Sequence, residues 1–347
     1  MAKTFKNLWG QIATFRNLAA AFTLVRQGKR FDSDTLSFYA DLESNLFALE
    51  EQLQQCTWQP KPFREFWVTD PKLRLIQAPA FEDRVVHQAV MLHVAPVLQR
   101  RFIVDTFASI KGRGTHAASN RLRSFLRSAS RKWEHPYIIK ADIKSFFPSL
   151  PHDLLMQRLQ RIFSDQDLLW FFDSLIHRSG YQGRGLPIGA LTSQWLANLY
   201  LDSLDHYAKD TLGIKFYVRY MDDFVVVGES KAWCRETLAR LQDHVEGLQL
   251  AMNPKTGLWP LSQGVDFVGY RHWTSHVRPR KRTLRRTRKT FKRLRGLYYE
   301  GLVDLEFIRS RVASFAGYMR HCDAHTSMGS MLENFVLVRR PIKKEID

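Results

Sequence analysis

Cysteine is scarce: the 347 residues hold three, Cys56, Cys234 and Cys322, with no Cys-x-x-Cys pair. That excludes a disulfide framework and a zinc finger or ribbon, and it suits a reducing interior. The one near miss, Cys322-Asp323-Ala324-His325, lacks a second ligand pair and reads as structural. Long apolar runs are missing too. None reaches the roughly 18 residues of a membrane span, so no membrane partner is expected. Residues 1–6 are basic, but Asn7-Leu8-Trp9-Gly10-Gln11 is no signal-peptide core, and the expected location is cytoplasmic. There is no internal repeat and no low-complexity linker.

Acid is in short supply relative to base. Lysine and arginine total 52 against 34 aspartates and glutamates, a net charge of +18. Solubility alone does not require so lopsided a balance, and a polyanion, nucleic acid by default, is the expected partner. A hydrophobic content of 45% argues for a packed core and against wholesale disorder. The length allows two or three subdomains.

The stretch that organises the rest is Tyr220-Met221-Asp222-Asp223. Phe216-Tyr217-Val218-Arg219 before it and Phe224-Val225-Val226-Val227 after it alternate β-branched and aromatic residues, which predicts a hairpin. Aspartates suit a solvated turn. Held side by side on a rigid hairpin, Asp222 and Asp223 also suit metal ligation, given a third carboxylate. Tyr137-Ile138-Ile139-Lys140-Ala141-Asp142 supplies it: period two sets Lys140 and Asp142 on one face and Ile139 and Ala141 on the other. Three clustered carboxylates repel unless cations neutralise them. Two Mg²⁺ ions, which prefer carboxylate and phosphate oxygens, would do so and would support two-metal phosphoryl transfer.

Along the chain, apolar spacing predicts helices over residues 5–27, from Asp32-Ser33 to Leu53, over 82–95, 117–133, 151–178, 190–207, 231–248, 303–320 and 327–338. Pro96 is expected to end or kink its helix. Phe66-Trp67-Val68 and Lys72-Leu73-Arg74-Leu75-Ile76 read as strands, the second placing two cations on one face. Those cations suit a triphosphate clamp or an ordinary solvated face. Lys111-Gly112-Arg113-Gly114 is a basic glycine-rich loop without a P-loop ending. Residues 265–270 read as one strand whose glycine permits close approach. Beyond Arg278, a helix dense in cations, among them Arg285, Arg286 and Arg288, suits a phosphate backbone. The alternation of elements predicts an α+β fold with helices on one face of a sheet.

Taken together, these motifs resemble reverse transcriptases along residues 5–340. Tyr220-Met221-Asp222-Asp223 looks like that family's signature hairpin, and Asp142 with Phe147 looks like its first catalytic strand. Asn253-Pro254-Lys255 and Phe267-Val268-Gly269-Tyr270 follow in the family's order. Ile188-Gly189-Ala190-Leu191-Thr192-Ser193-Gln194 departs from the Gln-Gly-x-x-x-Ser-Pro loop of group II intron and retron enzymes. Its Ile-Gly-x-x-x-Ser-Gln form is similar to reverse transcriptases of diversity-generating retroelements, which are bacterial or phage-encoded.

The resemblance implies a right-hand polymerase: fingers in residues 1–135, palm in 136–274 and helical thumb in 275–347. It implies that Asp142, Asp222 and Asp223, with the Ile143 carbonyl, hold two Mg²⁺, and that Lys255 protonates pyrophosphate or is a surface lysine. Lys72, Arg74, Phe147, Ile188, Gly189 and Gln194 would bind the incoming dNTP, with Phe147 as the gate against a ribose 2′-hydroxyl. Tyr220, Met221, Gly269, Tyr270, Arg285, Arg286 and Arg288 would hold primer and template. Ile188 replaces a glutamine, and the loss of that hydrogen bond would contribute to errors opposite template adenines. The implied partners are a template-repeat RNA, its RNA/cDNA duplex, dNTPs and a pentameric accessory variability protein. About 70 residues from the thumb onward leave too little for a nuclease or integrase domain. A retron, group II-like or defence-associated enzyme, or a non-catalytic RNA-binding scaffold, remain alternative readings.

Overall fold

In the computed structural model, which describes residues 4–69, 73–333 and 335–340, the amphipathic run of residues 5–27 folds as two helices. They are Trp9–Ile12 and Phe15–Val25. Thr14 interrupts the run. Its extended backbone lets the hydroxyl accept from the Asn17 amide, which caps the second helix and ends the first. The next predicted helix also splits, at Asp41, into Ser33–Ala40 and Leu42–Gln54. The chain divides into two compact units, each built from separated stretches.

The first unit comprises the described parts of Met1–Ile110 with Asp142–Lys215 and Ala239–Lys255. Its central element is the Phe81–Arg101 helix, which packs against Phe15–Val25 and Leu191–His206. Of the two outcomes expected at Pro96, an end or a kink, the end does not occur, and the helix runs on to Arg101. Val94, Val97 and Leu98 are buried on either side, and their burial outweighs the one backbone bond that proline forfeits. The predicted helix over 151–178 is likewise two, His152–Gln160 and Gln166–His177. Asp165 breaks it and is used twice: one oxygen caps the following helix at the Leu168 amide, and the other accepts from the amides of Leu8 and Trp9. Strands Arg64–Val68 and Arg74–Ala78 form an antiparallel pair with Phe66 opposite Ile76 and Val68 opposite Arg74.

The second unit comprises Lys111–Ala141, Phe216–Leu238 and the described parts of Thr256–Asp347. Four of its strands lie side by side in the order Tyr217–Tyr220, Asp223–Gly228, Tyr137–Asp142, Gly257–Pro260. Tyr217–Tyr220 and Asp223–Gly228 are the predicted hairpin, in register from Tyr217 opposite Val226 to Tyr220 opposite Asp223. Residues 265–270 are not one strand. Val265–Phe267 and Tyr270–His272 form a second hairpin around Val268 and Gly269, both with positive φ, and Val277–Pro279 completes a three-stranded sheet. The cation-rich helix is Lys281–Tyr299. It packs Phe291 and Leu294 against Phe315 and Met319 of the Leu305–Met319 helix and Met331 of His325–Leu332. The last helix is shorter than the predicted 327–338, since residues 335–340 are not helical. Asp323 joins that bundle to Val277 by accepting from its amide through Oδ2 and donating its own amide to the Val277 carbonyl. Within Cys322-Asp323-Ala324-His325, Asp323 thus ties strand to bundle. No helix among the described residues is long and apolar enough to cross a membrane.

Candidate active site

Asp222 and Asp223 sit where the sequence puts them, at the tip and first paired position of a tight hairpin. The tip is held by a residue that pattern reading passes over. Arg219 is fully buried, and its Nη1 donates to the Met221 carbonyl at 2.9 Å. Met221 has φ 53°, a left-handed conformation that costs a non-glycine residue about 1–2 kcal/mol, so the bond from below fixes a turn that would otherwise relax. Burial raises the Tyr220 phenol above its ordinary value, which keeps it neutral beside the two carboxylates.

Electrostatics at this tip are balanced by Lys140. Its ammonium pairs with Asp223, lies 5.3 Å from the centroid of the Phe267 ring, and is only 19% exposed. Lys140 stands two residues before Asp142 on the Tyr137–Asp142 strand, with Ile139 and Ala141 buried on the opposite face as the period predicts. The strand runs in register with Gly257–Pro260, Ile138 opposite Trp259.

In the first unit, Asp142 is half-buried and one carboxylate oxygen accepts from Asn253 Nδ2 at 3.1 Å. Asn253 also receives the Lys255 amide on its own Oδ1, which shapes the Asn253-Pro254-Lys255 turn. The Lys255 side chain is exposed. Ile143 is buried and bridges Met252 in antiparallel fashion. Phe147 is half-buried beside Phe146, with its carbonyl taking the Leu186 amide. The Ile188-Gly189 loop lies on the Arg74–Ala78 strand: the Gln77 amide donates to the Ile188 carbonyl at 2.9 Å. Gly189 has φ 130°, and a Cβ there would stand 3.1 Å from both the Gln77 carbonyl oxygen and Ile76 Cγ2. Ile188 and Gly189 thus come together with Ile76 and Gln77, on the strand that Arg74 begins. Lys72 lies outside the described residues. Gln194 is turned to another task, since its Oε1 accepts from Ser109 Oγ at 2.7 Å.

Elsewhere in the second unit, Gly269 lies in the turn of the Val265–His272 hairpin and Tyr270 in the pair that closes it, and Arg285, Arg286 and Arg288 are exposed on the Lys281–Tyr299 helix. Sequence reading missed Arg219, Lys140 as a counter-ion, and Asn253 as the Asp142 partner. An arginine ending the apolar run Phe216-Tyr217-Val218 just before the Asp-Asp turn was the available signal. Among the described residues no group of three or more His, Cys, Asp or Glu side chains is gathered to hold a metal ion. The chemistry of the donors nonetheless fits Mg²⁺. Asp222 and Asp223, and in the first unit Asp142, are half-buried carboxylates, the oxygen donors that Mg²⁺ prefers, and Asp223 is paired with a lysine that offsets its charge.

A family model described as reverse transcriptase (RNA-dependent DNA polymerase) matches residues 64–272. Protein YkfC of Escherichia coli (strain K12) is 25% identical over 277 residues, 67% of this chain and 72% of that protein. The group II intron-encoded protein LtrA of Lactococcus lactis subsp. cremoris is 23% identical over 175 residues, 48% of this chain and 28% of its own length. A solved telomerase from Candida albicans superposes with a TM-score of 0.48 at 14% identity, covering 80% of this chain and 55% of that one. The chain thus matches a small part of the length of its intron-encoded relative.

Proposed function

The chain belongs to the reverse transcriptases, and from that premise we propose that it is the RNA-directed DNA polymerase of a diversity-generating retroelement. What supports polymerisation is the Asp222-Asp223 tip, pinned from beneath by Arg219 and charge-compensated by Lys140. Asp142, Asp222 and Asp223, with the Ile143 carbonyl, are the proposed metal ligands. Two bound Mg²⁺ ions would supply Lewis-acid activation and charge neutralisation for nucleotidyl transfer. The residues of the chain do the rest. Arg74, with Lys72, holds the triphosphate of the incoming dNTP, and Gly189 lets its backbone approach. Phe147 excludes a ribose 2′-hydroxyl by bulk. Lys255, exposed and close in sequence to Asn253, can deliver a proton to the leaving pyrophosphate. Gly269 and Tyr270, with Tyr220 and Met221, seat the primer end. Arg285, Arg286 and Arg288 grip the phosphates of the RNA/cDNA duplex. In this reading residues 1–135 are fingers, 136–274 palm and 275–347 thumb.

The finer identity rests on Ile188-Gly189-Ala190-Leu191-Thr192-Ser193-Gln194. The Ile188 backbone is fixed on Gln77, and its branched apolar side chain offers an incoming nucleotide no hydrogen bond. Loosened base discrimination, expressed as adenine-directed errors, follows from that loss. The template would be a template-repeat RNA, with a pentameric accessory variability protein as partner. Sequencing cDNA made from the native template RNA, with and without the accessory protein, tests the assignment. Adenine-biased substitutions that shrink in Ile188→Gln support it, and an unchanged adenine error rate in that variant removes the role of Ile188. The similarity to LtrA favours a second reading, a group II-like enzyme, which faithful cDNA from the wild-type chain would support.

A further inference from the structure

The Val268-Gly269 turn is poorly suited to its own sequence. Phe267 and Tyr270 are the closing pair, so Val268 and Gly269 are the two central residues, with φ 42° and 95°. Two-residue turns with both φ values positive favour Asn-Gly or Gly-Gly. A β-branched valine there is an outlier that costs about 1–3 kcal/mol and persists only when its surroundings over-determine it.

The surroundings are a pair of tyrosines that exchange bonds. Tyr318, near the end of the Leu305–Met319 helix, donates its hydroxyl to the Gly269 carbonyl at 2.6 Å. Tyr270 donates its hydroxyl to the Tyr318 carbonyl at 3.1 Å. Their rings stack at 4.7 Å with 14° between planes. Burial raises both phenols above their ordinary values, so both remain donors. Beneath them, His116 Nε2 lies 3.3 Å from the Tyr270 oxygen. That oxygen has already given its proton to Tyr318, so the imidazole acts as donor to it. His116 in turn stacks on His321 at 4.0 Å and 15°. Burial, with His116 and Arg123 nearby, lowers the His321 pKa, which favours the neutral form of that ring. A merely structural role would need packing alone. A hydroxyl bond from Tyr318 to the strained turn, answered by one from Tyr270 to the Tyr318 carbonyl, is more than packing requires.

We propose that Tyr318 is a positioning residue, which through its bond to the Gly269 carbonyl and its stack on Tyr270 holds the Val268-Gly269 turn in the register that the primer 3′ end needs, with His116 and His321 as the seat of the clamp. The inference rests on the assignment of Gly269 and Tyr270 to the primer in the polymerase reading. Its effect lies in alignment of the primer end and not in affinity for duplex. Tyr318→Phe keeps the ring and loses only the hydroxyl.

The test compares the full-length chain and Tyr318→Phe on a primed RNA template, with hydrogen exchange of residues 265–272 measured alongside. The expected result is a roughly tenfold lower kcat for the next nucleotide, the size of one lost hydrogen bond, with KM for dNTP and Kd for primer–template within about twofold. Exchange in the turn should rise by a similar factor. Tyr318→Leu, which also loses the stack, should fall further. Wild-type kcat in Tyr318→Phe, or a weakened duplex Kd with unchanged kcat, overturns the proposal. A wild-type chain that incorporates nothing overturns the polymerase reading and the positioning role with it. Slow turn exchange in Tyr318→Phe overturns the clamp whatever the activity.

Discussion

Removing the Arg219 guanidinium should loosen the aspartate hairpin by a calculable amount. Arg219→Met retains most of the aliphatic stem, so little volume is lost at a position that is fully buried. What disappears at the turn is the 2.9 Å bond from Nη1 to the Met221 carbonyl. A hydrogen bond from a charged donor contributes about 1.5–3 kcal/mol. Met221, at φ 53°, then loses the contact that holds it in a left-handed conformation. Easier opening by about 2–3 kcal/mol corresponds to roughly 30- to 150-fold faster exchange of amides that exchange through that opening. Mass-spectrometric hydrogen exchange on peptides covering 217–228 reads this directly, and does not require the two units to unfold together. Arg219→Lys keeps the charge without the planar fork, so it should fall between the two. Nucleotide incorporation should drop at least tenfold in Arg219→Met, because the turn carries Asp222. Wild-type exchange in 217–228, with wild-type incorporation, would refute the idea that Arg219 fixes the tip.

Three further outcomes follow from other contacts. Gly189→Ala forces a side chain onto φ 130° and into the Gln77 carbonyl, at a cost of about 1–3 kcal/mol; a lower Tm and a higher KM for dNTP are expected, and an unshifted Tm would contradict the geometry. His272 is buried, bonded to Ser119 at 2.8 Å, and burial lowers its pKa to about 4. The folded chain therefore binds fewer protons than the unfolded one below the ordinary histidine value, so this stability is complete above pH 6.5 and is lost as pH falls towards 4, by about 3 kcal/mol. His272→Asn should flatten that acid limb in urea titrations run from pH 4 to 7, whereas parallel curves would show that His272 is not the group responsible. Neutralising Arg285, Arg286 and Arg288 together should reduce the slope of log affinity for RNA against log salt by roughly 2–3; an unchanged slope would take the Lys281–Tyr299 helix off the phosphates.

The sequence announces elements whose own pattern decides them. The runs on either side of Met221-Asp222 pair as the predicted hairpin, both strands buried on both faces, and in Tyr137–Asp142 the half-buried Lys140 and Asp142 lie opposite the buried Ile139 and Ala141. The cation-rich helix appears where its apolar spacing puts it. Features decided by distant partners are less legible. Asp165 breaks its helix while accepting from the amides of Leu8 and Trp9, 157 and 156 residues away, and an aspartate inside an apolar stripe does not advertise that. Pro96 survives in mid-helix because tertiary burial overrides propensity. The turn at Val268 carries no turn residue at its first central position, so its hairpin is invisible until Tyr318 is placed. At the candidate site the aspartates are readable as a motif, but their partners are not. Asn253 lies 111 residues from Asp142, and Lys140 looks like any solvated strand lysine until Asp223 is seen beside it.

The most direct measurement is dNTP incorporation on a primed RNA template in Mg²⁺ by the wild-type chain and by Asp222→Ala, with RNA affinity measured on the same samples. Abolished incorporation with RNA binding unchanged within a few-fold is the expected result. Equal incorporation by the two proteins would contradict the account at its centre, because the carboxylates of the hairpin would then have no part in the chemistry.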